Sequence, residues 1–428
     1  MPAAIEPPRP QAMTPTHFAE RAEVIDALRG FALFGILLVN MYLFSHPVQM
    51  VILPVDPAED GLNRIADRLV RFFAETKFYS LFSFLFGLGF SLQMVRAEER
   101  GARFLRLYTR RLITLFLIGV VHAYFIWVGD ILMLYAVLGF LLLLYRKARP
   151  KTLVIWVVVF LTLPFLFNLL SVGGIEMGRM AGPDVAAQID KSFAEQDSVF
   201  RAGVEAAYRV YPNGSFGEIT AQRASEMPFM AFGNLFLAPG VFGMFLLGHY
   251  FGRRELFQNV DENLILFRRL FWWGLILGVI GNLIYAMLVP SISRAQPSPP
   301  LLTAMAGQTI GAPALCLFYI ASITLLSRHT VWKKRLKVLV SAGRIPLSNY
   351  LGQSVVCTLI FYGYGLGLFG QANKSTGLLL AIVIYIVLVL LSHWWTRHFQ
   401  FGPAEWLWRS LTYLRWQPMR KDTKGAKE

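Results

Sequence analysis

Thr152-Leu-Val-Ile-Trp-Val-Val-Val-Phe-Leu-Thr-Leu-Pro-Phe-Leu-Phe-Asn-Leu-Leu-Ser-Val-Gly173 runs for 22 residues without a charged side chain. A hydrocarbon core about 30 Å thick is crossed by roughly 20 apolar residues in helix. The run is apolar on every face, so as a helix it has no side suited to water. Nine further segments read the same way: Val24–Phe44, Phe72–Val95, Leu112–Val128, Ile131–Tyr145, Pro228–Phe251, Leu270–Val289, Leu302–Ser327, Ile345–Phe369 and Gly377–Thr396. The turn at Val128-Gly129-Asp130 is tight, so the third and fourth segments are expected to form a helical hairpin. Composition agrees. Hydrophobic residues make up 55% of the 428 and charged residues only 16%, with mean hydropathy +0.50. A soluble surface carries about 25–35% charged residues. A disordered chain, a disulfide scaffold and an ordinary soluble enzyme are excluded, leaving an all-α integral membrane protein of about ten transmembrane helices.

The formal charge is +15. The basic residues sit in short stretches beside the apolar runs, which points to membrane orientation and not to nucleic acid. Counted on alternate sides of the ten segments, Lys and Arg number 29 on the side of the termini and 10 on the other. Both termini are therefore expected in the cytoplasm. Residues 1–23 form a polar, Pro-rich cytoplasmic tail, and the first apolar run after it is read as an uncleaved span. Residues 24–400 form the polytopic domain. Residues 401–428 form an amphipathic basic cytoplasmic tail, in which Trp406, Trp408, Tyr413 and Trp416 precede Arg420, Lys421, Lys424 and Lys427. That order suits an interfacial helix on an anionic leaflet. The one long outer segment, 174–227, holds 5 basic and 8 acidic residues. Its Asp184–Arg209 stretch has an amphipathic helical pattern, and the segment is expected to act as a lid.

Several motifs carry no chemistry here. Gly365-Leu-Gly-Leu-Phe-Gly370 matches a dinucleotide fingerprint but ends an apolar span, where a strand-turn-helix is required. Asn213-Gly-Ser215 and Asn373-Lys-Ser375 are bare glycosylation sequons. Cys316 and Cys357 lie in apolar runs and read as small hydrophobes. No His, Cys or Asp set has metal-ligand spacing, and no tightly bound cofactor is expected.

Ionisable and amide groups in hydrocarbon are costly, so each needs a reason. Asp26 and Arg29 are three apart on the first span and share a helix face. They form a local ion pair, or Arg29 joins Arg110 and Arg111 in holding an anionic cytosolic ligand, for which the guanidinium fork is suited. Asn40 lies eleven residues on, about 16 Å along the helix, as interhelical glue or a ligand donor. His122 is the sole ionisable residue of the third span's core. Folding back at Gly129 would bring Asp130 to it, either locking the hairpin or orienting the imidazole as a general base. His46 reads as a loop residue. Arg344, Ser348, Asn349, Tyr350 and Gln353 cluster where span nine begins; packing and ligand binding are equally open for them.

Read together, Ile25-Asp-Ala-Leu-Arg-Gly-Phe-Ala-Leu-Phe-Gly-Ile-Leu-Leu-Val-Asn40, Lys77-Phe-Tyr-Ser-Leu-Phe-Ser-Phe-Leu-Phe-Gly87, the stretch His122–Gly139, Gly343–Gly370 around Ser348-Asn-Tyr350, and Phe401-Gly-Pro-Ala-Glu-Trp-Leu-Trp-Arg409 resemble the YeiB-like family of bacterial polytopic membrane proteins, a domain of unknown function. The likeness runs from Arg21 to Tyr413. That family looks like a branch of the transmembrane acyltransferase superfamily, with which it shares the opening Asp26-x-x-Arg29-Gly30. The resemblance implies a multi-pass protein of the bacterial inner membrane, using cytosolic acyl-CoA as co-substrate and a glycan or lipid-linked acceptor on the outer side. Many of the acetylases carry histidine where this chain has Asn40; His46 is offset from that place. On this reading Asp26, Arg29, Arg110, Arg111, Ser348, Asn349 and Tyr350 bind substrate, and His122, Asp130 and Asn40 are catalytic. The alternatives are a transporter or flippase of a small or lipid-linked solute, and a non-catalytic membrane protein.

Overall fold

The computed structural model describes residues 23–54, 59–99 and 104–421; the N-terminal tail up to residue 22 and the last basic residues, Lys424 and Lys427, lie outside these. The described residues form fourteen α-helices and no β-strand: α1 (Glu23–Ser45), α2 (Gly61–Phe73), α3 (Lys77–Glu99), α4 (Phe104–Val121), α5 (Leu132–Leu142), α6 (Pro150–Met180), α7 (Pro183–Val210), α8 (Phe216–Arg253), α9 (Leu264–Leu288), α10 (Pro299–Leu326), α11 (Thr330–Arg344), α12 (Pro346–Phe361), α13 (Lys374–His398) and α14 (Pro403–Tyr413). Seven helical stretches are long and apolar enough to cross a bilayer: α1, α2 with α3, α6, α8, α9, α10 and α13. The other three apolar segments of the sequence fall on the shorter helices α4, α5 and α12. The outer face of α6 leaves Leu163, Leu166, Leu169 and Leu170 exposed. Such a face is stable only against lipid tails. The chain is a multi-pass, all-α membrane protein.

Helix breaks appear where the local chemistry demands them. The second apolar segment is split at Thr76, whose φ of 72° ends α2 and redirects α3. Segment nine stops at Phe361; beyond it Gly367 and Gly370, at φ 67° and 79°, build a glycine-rich turn where more helix was expected. Residues 174–227 are helical almost throughout. They comprise the end of α6, then α7, which covers the predicted amphipathic stretch, then the start of α8, whose first turn is closed by a Ser215–Glu218 capping box. The basic segments 252–269 and 328–344 also contain helix, most clearly in α11.

In lipid there is little hydrophobic drive between helices, so close packing through small residues holds them. A Cβ on Gly343 of α11 would lie 1.7 Å from the Asp26 carbonyl oxygen, and one on Gly30 of α1 would lie 2.2 Å from the Leu339 carbonyl oxygen. Glycine on both sides lets α1 and α11 touch backbone to backbone. This contact sets where α12 begins. The start of α12 is fixed from the other side by the tail. The buried Glu405 carboxylate of α14 accepts the Leu347 N–H at 2.6 Å, the Ser348 N–H at 3.2 Å and the Ser348 hydroxyl at 2.5 Å. A carboxylate at a helix N-terminus satisfies orphan donors and meets the positive end of the helix dipole. The expected interfacial tail helix is thus also a docked structural part, with Trp408 donating its indole N–H to the Arg111 carbonyl at 2.9 Å.

Two outcomes follow, both read by thermal unfolding of detergent-purified protein. Gly343→Ala forces a methyl into an immovable carbonyl and should cost about 2 kcal/mol, whereas Gly240→Ala in α8, where a Cβ meets nothing within 4 Å, should be neutral or gain up to about 1 kcal/mol. Burial raises the Glu405 carboxyl above its usual range, against the pull of its hydrogen bonds. The folded state then keeps this proton after the unfolded chain has lost it, so stability should fall as pH rises from about 4.3 through the raised value and level off beyond; Glu405→Gln should remove that slope.

Candidate functional site

A continuous cavity of about 1160 Å³ runs through the bundle. One end is lined by Asp26, Arg29, Arg111 and Arg344, with Trp408 beside them. Asp26 is 1% exposed and accepts from Arg29 at 2.8 Å, and Arg344 completes the pair at 3.9 Å. The Arg111 guanidinium lies over the Trp408 ring at 3.8 Å. Arg110, one residue earlier on α4, does not line the cavity. Near this end, burial and then the Arg344 charge push the Lys421 ammonium down.

Further in, the lining includes Asn40, Phe82, Leu85, Phe86, Trp127, Asp130, Tyr135 and Tyr350. Here the predicted hairpin brings its two polar residues together. α4 ends in a π turn over His122–Ile126, a wound form that often occurs at functional sites. His122 Nδ1 lies 2.8 Å from Asp130 Oδ2, while Asp130 Oδ1 accepts the Met133 N–H at 2.8 Å. His122 Nε2 lies 2.9 Å from Ser354 Oγ of α12. All three side chains are buried, His122 at 1%, Asp130 at 6% and Ser354 at 0% exposure. An acceptor-only carboxylate at Nδ1 places the ring proton there, leaving Nε2 to accept from the serine hydroxyl. Of the three, only Asp130 lines the cavity. His122 lies one side chain behind the wall: the Tyr350 ring sits 5.2 Å from the imidazole and the Trp127 ring 6.2 Å from it, and both rings line the cavity.

Span nine divides by role. Ser348 is held by Glu405 and accepts the Ala404 N–H at 3.0 Å. Asn349 joins helices, donating to the Ala342 carbonyl at 3.0 Å and pairing with Ser392 of α13. Gln353 donates to the Leu33 carbonyl of α1 at 3.1 Å. Tyr350 alone of the predicted Ser348-Asn-Tyr350 trio lines the cavity. Its hydroxyl is 3.5 Å from the Gly129 carbonyl, too long for a firm hydrogen bond.

Three cavity-related groups are absent from the sequence candidates. Ser354 lies one helical turn beyond Tyr350, so the period of α12 could have suggested it. The Trp127 indole N–H and the Tyr108 hydroxyl are buried, lack a hydrogen-bond partner among the described residues and belong to side chains that line the cavity; nothing in their local sequence marks them. His46 is not part of the lining. It stacks on Tyr42, and burial followed by the Lys374 charge pushes it down to about 4.

The far end of the cavity is lined by Glu75, Thr76, Tyr285 and Arg294. Glu75 accepts from Arg294 and from the Tyr285 hydroxyl, each at 2.9 Å, and from Arg71 at 3.3 Å. Lys374 bridges Glu59 and Asp67 nearby at 3.1 and 3.2 Å.

The sequence is similar to those of known proteins. The profile of the protein of unknown function family DUF418 matches residues 251–415. The chain is 37% identical over 431 residues to the uncharacterized protein YxaH of Bacillus subtilis, covering 96% of this chain and 99% of that one. It is 29% identical over 412 residues to the uncharacterized protein YeiB of Escherichia coli, covering 92% and 96%. An uncharacterized 39.9 kDa protein from the amylase 3' region of Bacillus acidopullulyticus is 28% identical over 424 residues, covering 95% and 98%. These alignments cover 92–96% of the chain, and the chain belongs to the YeiB-like family of DUF418 membrane proteins.

Proposed function

We propose that this protein is an acyl-CoA-dependent transmembrane acyltransferase of the bacterial inner membrane, with both termini cytoplasmic. The observation that carries the reading is the single cavity joining an arginine-rich end to Asp130 and Tyr350. Arg29 and Arg111, with Arg344 behind Asp26, suit the phosphates of a CoA donor at the cytosolic side. The apolar wall of Phe82, Leu85 and Phe86 suits the acyl chain. Asn40 is half-buried in the lining and offers an amide to the thioester carbonyl. An acceptor, glycan or lipid-linked, would approach from the far end.

In the reaction, the thioester C–S bond breaks as a new acyl C–O or C–N bond forms. The His122–Asp130 couple takes up the proton released by the attacking group and returns it to the CoA sulfur. Asp130 keeps the imidazole in the receptive tautomer and offsets the charge that develops on it. The transporter reading accounts for the cavity, but gives no role to an imidazole held between a carboxylate and a hydroxyl.

Purified protein should be stabilised against heat by CoA and by short acyl-CoA. Arg29→Ala should weaken binding by about tenfold, the scale of one charge-assisted contact. His122→Ala should leave CoA binding in place yet slow CoA release by at least about a hundredfold. Protein that is neither stabilised by nor consumes any acyl-CoA, yet moves solute in proteoliposomes, would refute the proposal.

A further inference from the structure

We propose that Ser354 is a nucleophile that carries the acyl group as a covalent intermediate, and that the Tyr350 ring is the door between it and the cavity. The proposal deepens the acyltransferase reading and rests on it for the identity of the donor, but the triad itself is argued from geometry alone. Ser354 Oγ, His122 Nε2, His122 Nδ1 and Asp130 Oδ2 form one line of hydrogen bonds at 2.9 and 2.8 Å. Its three members come from α12, the π turn after α4 and the start of the hairpin's second arm. Serine activated by a base that is itself oriented by a carboxylate is the arrangement nucleophilic catalysis requires, whatever the fold. The Ser354 hydroxyl also lies 3.4 Å from the Tyr350 carbonyl of its own helix, a longer approach than its 2.9 Å contact with Nε2.

Two further observations bear on the same spot. Tyr350 precedes Ser354 by one turn, so both side chains lie on one face of α12. Its ring touches the imidazole on one side and the cavity on the other, and its hydroxyl meets backbone groups of the hairpin turn, the Gly129 carbonyl at 3.5 Å and Ile131. Rotation of that ring opens the triad without moving a helix. Trp127 lines the same wall with a buried indole N–H that has no partner among the described residues. It is an uncommitted donor for an oxygen that becomes charged during acyl transfer.

The chemistry balances in two steps. Ser354 Oγ attacks the thioester carbonyl carbon; the C–O ester bond forms, the C–S bond breaks, and the hydroxyl proton passes to His122 Nε2 and on to the CoA thiolate. The acceptor hydroxyl then attacks the acyl-serine carbonyl. Its proton passes to Nε2 and from there to Ser354 Oγ as the ester bond to serine breaks.

The test uses full-length protein in detergent and a fluorophosphonate probe, read by intact mass and peptide mapping. Serine oxygen attacks the probe's phosphorus and fluoride leaves, so no acyl-CoA is required. Tyr350→Ala should be labelled at Ser354 faster than wild type, Ser354→Ala should not be labelled, and His122→Ala in the Tyr350→Ala background should be labelled at least about tenfold more slowly. Folded Tyr350→Ala protein that stays unlabelled at Ser354 overturns the proposal. Should Tyr350→Ala fail to fold, Ser354→Cys decides. Its new thiol should react with iodoacetamide faster than the buried Cys316 and Cys357, and slow when His122 is replaced by Ala; equal rates for the three thiols overturn it. The outcomes separate the two readings. CoA-dependent stabilisation with an inert Ser354 removes the serine step and keeps the transferase. A labelled Ser354 with no response to any acyl-CoA keeps the triad and removes CoA as donor.

Discussion

Burying an imidazole is costly unless its ring nitrogens find partners, and inside a lipid-embedded bundle those partners come from the protein. His122 meets that demand with Asp130 and Ser354, and much of the surrounding architecture follows from it. An uninterrupted α4 would turn the next residues away from the hairpin; the π turn over His122–Ile126 instead lets the chain reverse at Gly129. Gly129 and Gly119 lie where a Cβ would strike Trp127 and Asp130 within 3 Å. α12 must then bring Ser354 alongside. The demand for partners at one ring therefore couples the hairpin to a helix more than two hundred residues away. Each missing partner would cost about 1–3 kcal/mol, so the three groups hold one another in place.

Placement of α12 is in turn fixed from both ends of the chain. The backbone contact of α1 with α11, allowed by Gly30 and Gly343, seats the residues just before Pro346. Glu405, from the C-terminal tail, caps the first turn. The Asn349–Ser392 pair ties the helix to α13, and Gln353 ties it to α1. Polar side chains on three faces of one helix are thus spent on neighbours. What remains toward the cavity and the imidazole is Tyr350 and Ser354. This is why a cluster that is dense in polar residues in the sequence contributes so few groups to the cavity.

The sequence carried the fold well because lipid imposes a length and a periodicity that apolar runs must meet. The hairpin with His122 and Asp130 was legible because only two ionisable residues flank one tight glycine turn. The Arg29 end was legible through its spacing from Asp26. The rest was hidden for identifiable reasons. Ser354 is a small hydroxyl among apolar neighbours, a pattern shared with serines that bond back along their own helix, as Ser80 and Ser322 do here. Arg110 and Arg111 are adjacent in sequence but 100° apart around a helix, and only the latter meets Trp408 and the cavity. Glu405 reads as a surface tail residue until α14 docks.

The two ends of the cavity differ in kind, and the difference bears on direction. At the Arg29 end, Arg29, Arg96, Arg111, Arg344 and Arg409 line the cavity with two buried carboxyl groups, Asp26 and Glu405, so basic side chains outnumber acidic ones and an anion is favoured. At the far end, Glu75 is matched by Arg294 and Arg71, and Lys374 by Glu59 and Asp67. Thr76, a β-branched residue at φ 72°, lines this end directly after Glu75; holding that conformation costs about 1–3 kcal/mol. The ion pairs around Glu75 offset this strain and keep the α2–α3 junction bent where the cavity wall needs it. A cavity with an anion-attracting end and a charge-balanced end has a built-in polarity: on the acyltransferase proposal, a phosphate-bearing donor would be drawn to the first, while a neutral, hydroxyl-bearing acceptor would meet no electrostatic penalty at the second.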